Sequence, residues 1–152
     1  MEKLLHLWAQ DAEDLLVISA SLQDAVIKAS DMAFDKSQKR FALMANRFCW
    51  ERSSHQPLPP MRTRTGMHFE NVWAVKAKNI QQKSEQAYIL LAILFDTAQE
   101  NENSPSPEGI IRLMFSGEAE VSLTVEALHV VMQDVMGSWT AKSTPQHDLK
   151  EE

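Results

Sequence analysis

From Val26 onward the apolar residues recur at every second position, in strand-length runs separated by hairpin-length turns, a pattern that points to an antiparallel sheet. Ile27, Ala29, Asp31 and Ala33 oppose Lys28, Ser30, Met32 and Phe34. The polar run from Asp35 to Lys39 then turns the chain into Arg40–Ala45, which continues to Phe48 and Trp50, so a β-hairpin is expected. Ile110, Ile111, Leu113 and Phe115, a turn at Ser116–Glu118, and Val121, Leu123 and Val125 predict a second hairpin. Leu128, Val130 and Met132 alternate with His129, Val131 and Gln133, which predicts a last strand ended by Gly137. Met67 to Lys78 reads as a strand slightly out of alternation, as a bulge would make it. Tyr88 to Phe95 is apolar throughout and is expected at the centre of the sheet, buried on both faces.

One segment follows a different period. Leu15, Ile18, Leu22 and Ala25 recur at spacings of three and four behind Asp11, with Glu13 and Asp14 where a helix start favours carboxylates, and predict a helix over 12–25. A strand with Leu16, Ile18, Ala20 and Leu22 on one face is the competing reading. Leu4–Ala9 is a first strand or a lead-in, and 79–86 a turn or short helix. Residues 51–66 read as a loop, with Pro57, Pro59 and Pro60 among Arg52, Arg62 and Arg64, and 96–108 as a solvated connection. These elements make an α+β fold: a mainly antiparallel sheet or partly closed barrel with one principal helix on a face or in one end, of which a pleckstrin-homology-like roll is an example. Residues 1–137 are expected to form a single globular domain and 138–152 a frayed polar tail. The expected core contains Leu15, Ile18, Leu22, Phe41, Leu43, Leu91, Ile93, Leu113 and Leu123.

Composition narrows the class further. The single cysteine, Cys49, cannot form an intramolecular disulfide, which suits a reducing compartment. The opening Met1–Trp8 carries an early acid, and His6 and Gln10 interrupt its apolar stretch before a signal-peptide core forms. No apolar run approaches the roughly 20 residues of a membrane helix. We therefore expect a soluble cytoplasmic protein with no membrane partner. The formal net charge of −6 argues against a surface built for nucleic acid.

Catalytic and metal-binding patterns are missing from the sequence. His6, His55, His68, His129 and His147 stand singly, without metal-ligand spacing, so no metal is expected. Cys49 and His68 form a nominal nucleophile and base, but a cysteine between Phe48 and Trp50 reads as a small buried hydrophobe. Four glycines leave little material for a phosphate cradle, and no nucleotide or other cofactor is expected. Glu126 and Asp134 flank the last strand and read as solvated. The balance leans away from an enzyme. Arg52, His55, Arg62 and Arg64 form the one basic stretch, with Trp50 or Trp73 offering a stacking face. Asn46 and Arg47 could be a recognition pair beside it, although an ion pair from Arg47 to Asp24 or Glu51, fixing the sheet end, is the preferred reading.

The chain also resembles an uncharacterised domain-of-unknown-function family from alphaproteobacteria. The resemblance is carried by Ala12-Glu13-Asp14-Leu15, Leu22-Gln23-Asp24-Ala25, Arg40-Phe41, Asn46-Arg47-Phe48, Trp50-Glu51, His68-Phe69, Leu90-Leu91-Ala92, Phe115-Ser116-Gly117 and Val125-Glu126 with Asp134 and Trp139. It implies a bacterial cytoplasmic protein and no mechanism.

The leading reading is a non-catalytic binding or assembly domain that self-associates or takes a protein partner. Weak binding of nucleic acid or a phosphorylated ligand through the basic loop 52–64 comes second, and an enzyme with a dispersed site third. The candidate contacts are Asn46, Arg47, Trp50, Arg52, Arg62, Arg64 and His68. Convergence of Asn46, Arg47 and His68 in one pocket would favour the enzyme, and an exposed apolar patch the assembly domain.

Overall fold

The computed structural model describes residues 4–50, 61–97, 108–135 and 139–140. In chain order its elements are β1 (His6–Ala9), α1 (Ala12–Ser21), β2 (Val26–Lys28), β3 (Met32–Asp35), β4 (Arg40–Phe48), β5 (Met61–Phe69), β6 (Val72–Lys78), β7 (Ala87–Thr97), β8 (Gly109–Phe115), β9 (Glu120–Val125), β10 (Val130–Asp134) and β11 (Trp139–Thr140). Every strand pairing is antiparallel. The order is β1-β10-β5-β4-β2-β7-β8-β9-β6, with β3 also on β4 and β11 also on β5, and among the described residues the sheet does not close on itself. This is an α+β fold with one principal helix. No helix among the described residues is long and apolar enough to cross a membrane.

The helix starts where its cap is. Asp11 is extended and its carboxylate accepts the Asp14 N–H at 2.8 Å, satisfying one donor that a helix start leaves open. Leu15, Ile18 and Leu22 face the core as the spacing predicts, although the helix itself ends at Ser21. Asp24 then takes a φ of 65° and donates its N–H to Leu90 O at 2.9 Å, while the Ile93 N–H donates to Ser19 Oγ at 3.0 Å. These bonds hold the chain from α1 onward along the edge of β7, and α1 also packs on β1.

Several boundaries differ from the sequence reading. The first hairpin is β3–β4 alone: a 3-10 turn at Ala29–Asp31 separates β3 from β2, because β2 must also reach β7. Met67–Lys78 is two strands, broken after Phe69 where Asn71 adopts a left-handed φ of 61°, and a register irregularity does lie between Val72 and Ala74. Residues 61–66 are not loop but the start of β5, so Arg62 and Arg64 are strand residues; 51–60 lie outside the described residues. Alternating arginine and threonine conceals the period there, since neither face looks apolar. Trp139–Thr140, at the start of the stretch read as a tail, pairs with Arg62 and Met61 of β5, while Gly137 and 141–152 lie outside the described residues.

Of the expected core, every residue but Leu91 is buried. Tyr88–Phe95 is central in the sheet order yet buried on one face only. Leu90 pairs with Phe115 and Ile93 with Leu113, both in the core, but the register shifts between Leu90 and Ala92. Leu91 falls in that bulge, where two residues oppose one, and is left on the solvent side.

Candidate functional site

The candidate residues of β4 and β5 are sorted by strand parity onto two faces. Arg47 shares the inner face with Phe41, Leu43 and Ala45, as do Thr63 and Thr65 with Met67 and Phe69; all are buried. Asn46, Arg62, Arg64 and His68 point the opposite way and are partly exposed. Asn46, Arg47 and His68 therefore do not converge in one pocket.

Inside, Arg47 meets Asp134 of β10 in a two-pronged pair, Nε–H donating to Oδ1 at 2.8 Å and Nη2–H to Oδ2 at 2.7 Å. Asp134 Oδ2 also accepts the Leu5 N–H at 2.8 Å, tying down the approach to β1. Burial raises the Asp134 pKa, but the Arg47 guanidinium and the Leu5 amide outweigh it and hold the carboxyl below its ordinary value. The sequence reading of Asp134 as solvated is thus corrected: it follows Val130 and Met132 on the inward parity of β10 and is buried with them. Glu126 is exposed and pairs with Lys39 at 3.0 Å.

On the open face the charges pair with one another. Arg64 donates to Asn46 Oδ1 at 3.0 Å and reaches Asp31 at 3.3 Å. Arg62 donates to Asn46 O at 3.1 Å and lies 5.9 Å from the centre of the Phe48 ring; burial lowers its pKa against the pull of Asp24 and Cys49. Trp50 is fixed by its indole N–H, which donates to Gln23 O at 2.9 Å. Arg52 lies outside the described residues.

Further along the same face, Glu70 accepts from Arg40 at 2.7 Å and binds His68 Nδ1; burial raises its pKa, but both partners bring it below the ordinary value. Met44, Gly66, His68 and Gln133 line a shallow groove of about 480 Å³ there. Cys49 is buried and its N–H donates to Met61 O. His68 lies six residues along β5 from Arg62, the partner of Phe48, a distance of roughly 20 Å at the strand rise, so Cys49 and His68 cannot act together. Among the described residues no serine, threonine or cysteine hydrogen-bonds His68, and no three of His, Cys, Asp and Glu converge to hold a metal.

The exposed apolar surface lies elsewhere, and sequence reasoning missed it. Ile89, Leu91 and Leu94 of β7 are 42, 46 and 44 % exposed, and α1, along the same edge, exposes Leu16 and Val17 by 62 and 55 %. The available signal was the length of the run itself, since a strand covered on one face only cannot bury every side chain of a continuous apolar stretch.

The fold and this surface define an antiparallel-sheet α+β domain with no catalytic constellation among its described residues. Over residues 5–147 the chain matches the family model described as "Protein of unknown function (DUF2948)", and it belongs to that family. No curated protein and no solved structure matches it.

Proposed function

We propose that this is a non-catalytic assembly domain that pairs with a second copy of itself through the outer face of β7. The observation that carries the reading is the strip Ile89, Leu91 and Leu94, three branched aliphatic side chains exposed on β7, with Leu16 and Val17 also exposed on α1, the helix that packs on that strand. Monomers seldom expose such side chains contiguously, because each stays in water at a cost of about 25 cal/mol per Å². A two-fold axis through the strip would lay the same residues on one another. The flank is self-complementary in charge: Arg112, opposite Leu94, binds Asp96 at 3.0 Å and Glu120 at 2.9 Å, so a second copy brings both signs to both sides. Further along the same face of the sheet, where Asn46 and Ile89 both pair with Val26, the described arginines of the basic stretch are engaged by Asn46, Asp31 and Phe48, which leaves less cation for a polyanion.

Sedimentation equilibrium tests the proposal. The wild-type chain is expected to dimerise, and Leu91→Glu/Leu94→Glu to be monomeric with unchanged circular dichroism. Since each copy carries a net charge of −6, salt should strengthen the dimer by screening their repulsion. A wild-type monomer at the highest soluble concentration, or a variant that dimerises equally well, would exclude it.

A further inference from the structure

The second exposed apolar region is a cleft, and it opens into the core. Met32 and Phe34 of β3 pair with Leu43 and Phe41, and Val75 and Ala77 of β6 with Leu123 and Val121, so parity puts all four on the inner side of the sheet. Their partners are buried, yet Met32, Phe34 and Val75 are only partly covered and Ala77 is exposed. Between them lies a cavity of about 440 Å³ floored by Phe41 and Val121 and flanked by Ile80. Among the described residues β3 pairs only with β4 and β6 only with β9, so the sheet stops on either side of the cleft.

The rim is cationic on an acidic chain. Lys83 lines the cleft and makes no ion pair among the described residues, while Glu85 two residues on is taken by Lys28 and Ser30. The turn carrying Lys83 is pinned: Ser30 N–H donates to Ser84 O at 2.8 Å, Ser84 Oγ–H to Gln81 O at 2.6 Å, and Gln81 N–H to the Tyr88 hydroxyl at 2.9 Å.

We propose that this cleft binds the acyl chain of an amphipathic anion, with Lys83 taking its carboxylate or other acidic head. The volume falls in the range of small-ligand pockets, roughly 300–1,000 Å³. An alkyl chain fits walls with few polar side chains, and one unpaired cation at the mouth sets its direction. An extended peptide is the weaker occupant. It would have to add to β3, four residues long, or to β6, whose irregular start and two lysines are features that keep strands from adding.

The probe is sodium dodecanoate below its micelle concentration, titrated calorimetrically into the full chain. One molecule should bind per chain. Ala77→Trp, which fills the cleft from an exposed position, should abolish binding, and Lys83→Glu should weaken it at least ten-fold while leaving the binding of neutral dodecanol unchanged. Flotation with phosphatidylglycerol vesicles separates the two sources of such a ligand: flotation lost in Ala77→Trp, without binding of free dodecanoate, assigns the cleft to a bilayer lipid. No binding in either arm, or equal binding by wild type and both variants, overturns the proposal; a strand-forming peptide that binds where dodecanoate does not also overturns it.

Discussion

Arg47 is fully buried and Asp134 is 3 % exposed, so neither charge can be rescued by water if the other is removed. Their two hydrogen bonds, at 2.8 and 2.7 Å, satisfy charges whose desolvation costs several kcal/mol each. Asp134→Ala should therefore cost about 3–5 kcal/mol, because it removes the carboxylate that holds the buried guanidinium in a two-pronged pair and releases the Leu5 amide as well. For a chain of this size that lowers Tm by roughly 6–20 °C. Arg47→Met should cost a similar amount, whereas Arg47→Met with Asp134→Leu removes both charges and should recover most of the loss. The pH dependence has a definite sign. The Asp134 carboxyl is held below its ordinary value in the folded protein, so its stabilisation is complete above the unfolded pKa of about 3.9 and fades as pH falls through the lower folded value. Urea titration of the four proteins at neutral pH, repeated between pH 5 and about 2, measures all of this. Single variants within about 1 kcal/mol of wild type, or additive losses in the double variant, would refute the reasoning.

Two contrasts test the packing. Leu91→Ala should change monomer stability by no more than about 0.5 kcal/mol, while Ile93→Ala two positions away should cost about 2–5 kcal/mol; equal losses in urea would return Leu91 to the core. At Gly109 an added methyl would lie 2.5 Å from the Phe95 ring and 2.6 Å from Asp96 O, so Gly109→Ala should cost about 1–3 kcal/mol. At Gly117, where φ is 71° and nothing lies within 4 Å, Gly117→Ala should cost only about 1 kcal/mol; thermal denaturation that reversed this ranking would contradict the β7–β8 geometry.

The hairpins β3–β4 and β8–β9 and the helix start were legible because each is local: one period, one turn or one cap decides it. What the sequence concealed depends on contacts distant along the chain. The Arg47–Asp134 pair spans 87 residues, yet its sign was present: each charge falls on the apolar parity of its strand, after Phe41, Leu43 and Ala45 in one case and after Val130 and Met132 in the other. Two opposite charges on inward positions imply each other. Asn46 and Arg47 are adjacent and look like one polar feature, but neighbouring strand residues face opposite ways, so the candidate site divided between two faces. Leu91 was misassigned because a bulge inside a continuous apolar run leaves no break in the pattern.

The central claim is that the β7 strip is the contact between two copies. Isotope-filtered nuclear Overhauser spectroscopy, on a mixture of methyl-labelled and unlabelled chains, reads it atom by atom. The account predicts intermolecular cross-peaks to the methyls of Ile89, Leu91 and Leu94, with Leu16 and Val17 at the margin. Absence of intermolecular cross-peaks, or their appearance only at the exposed Trp8 and Trp73 on other strands, would contradict it.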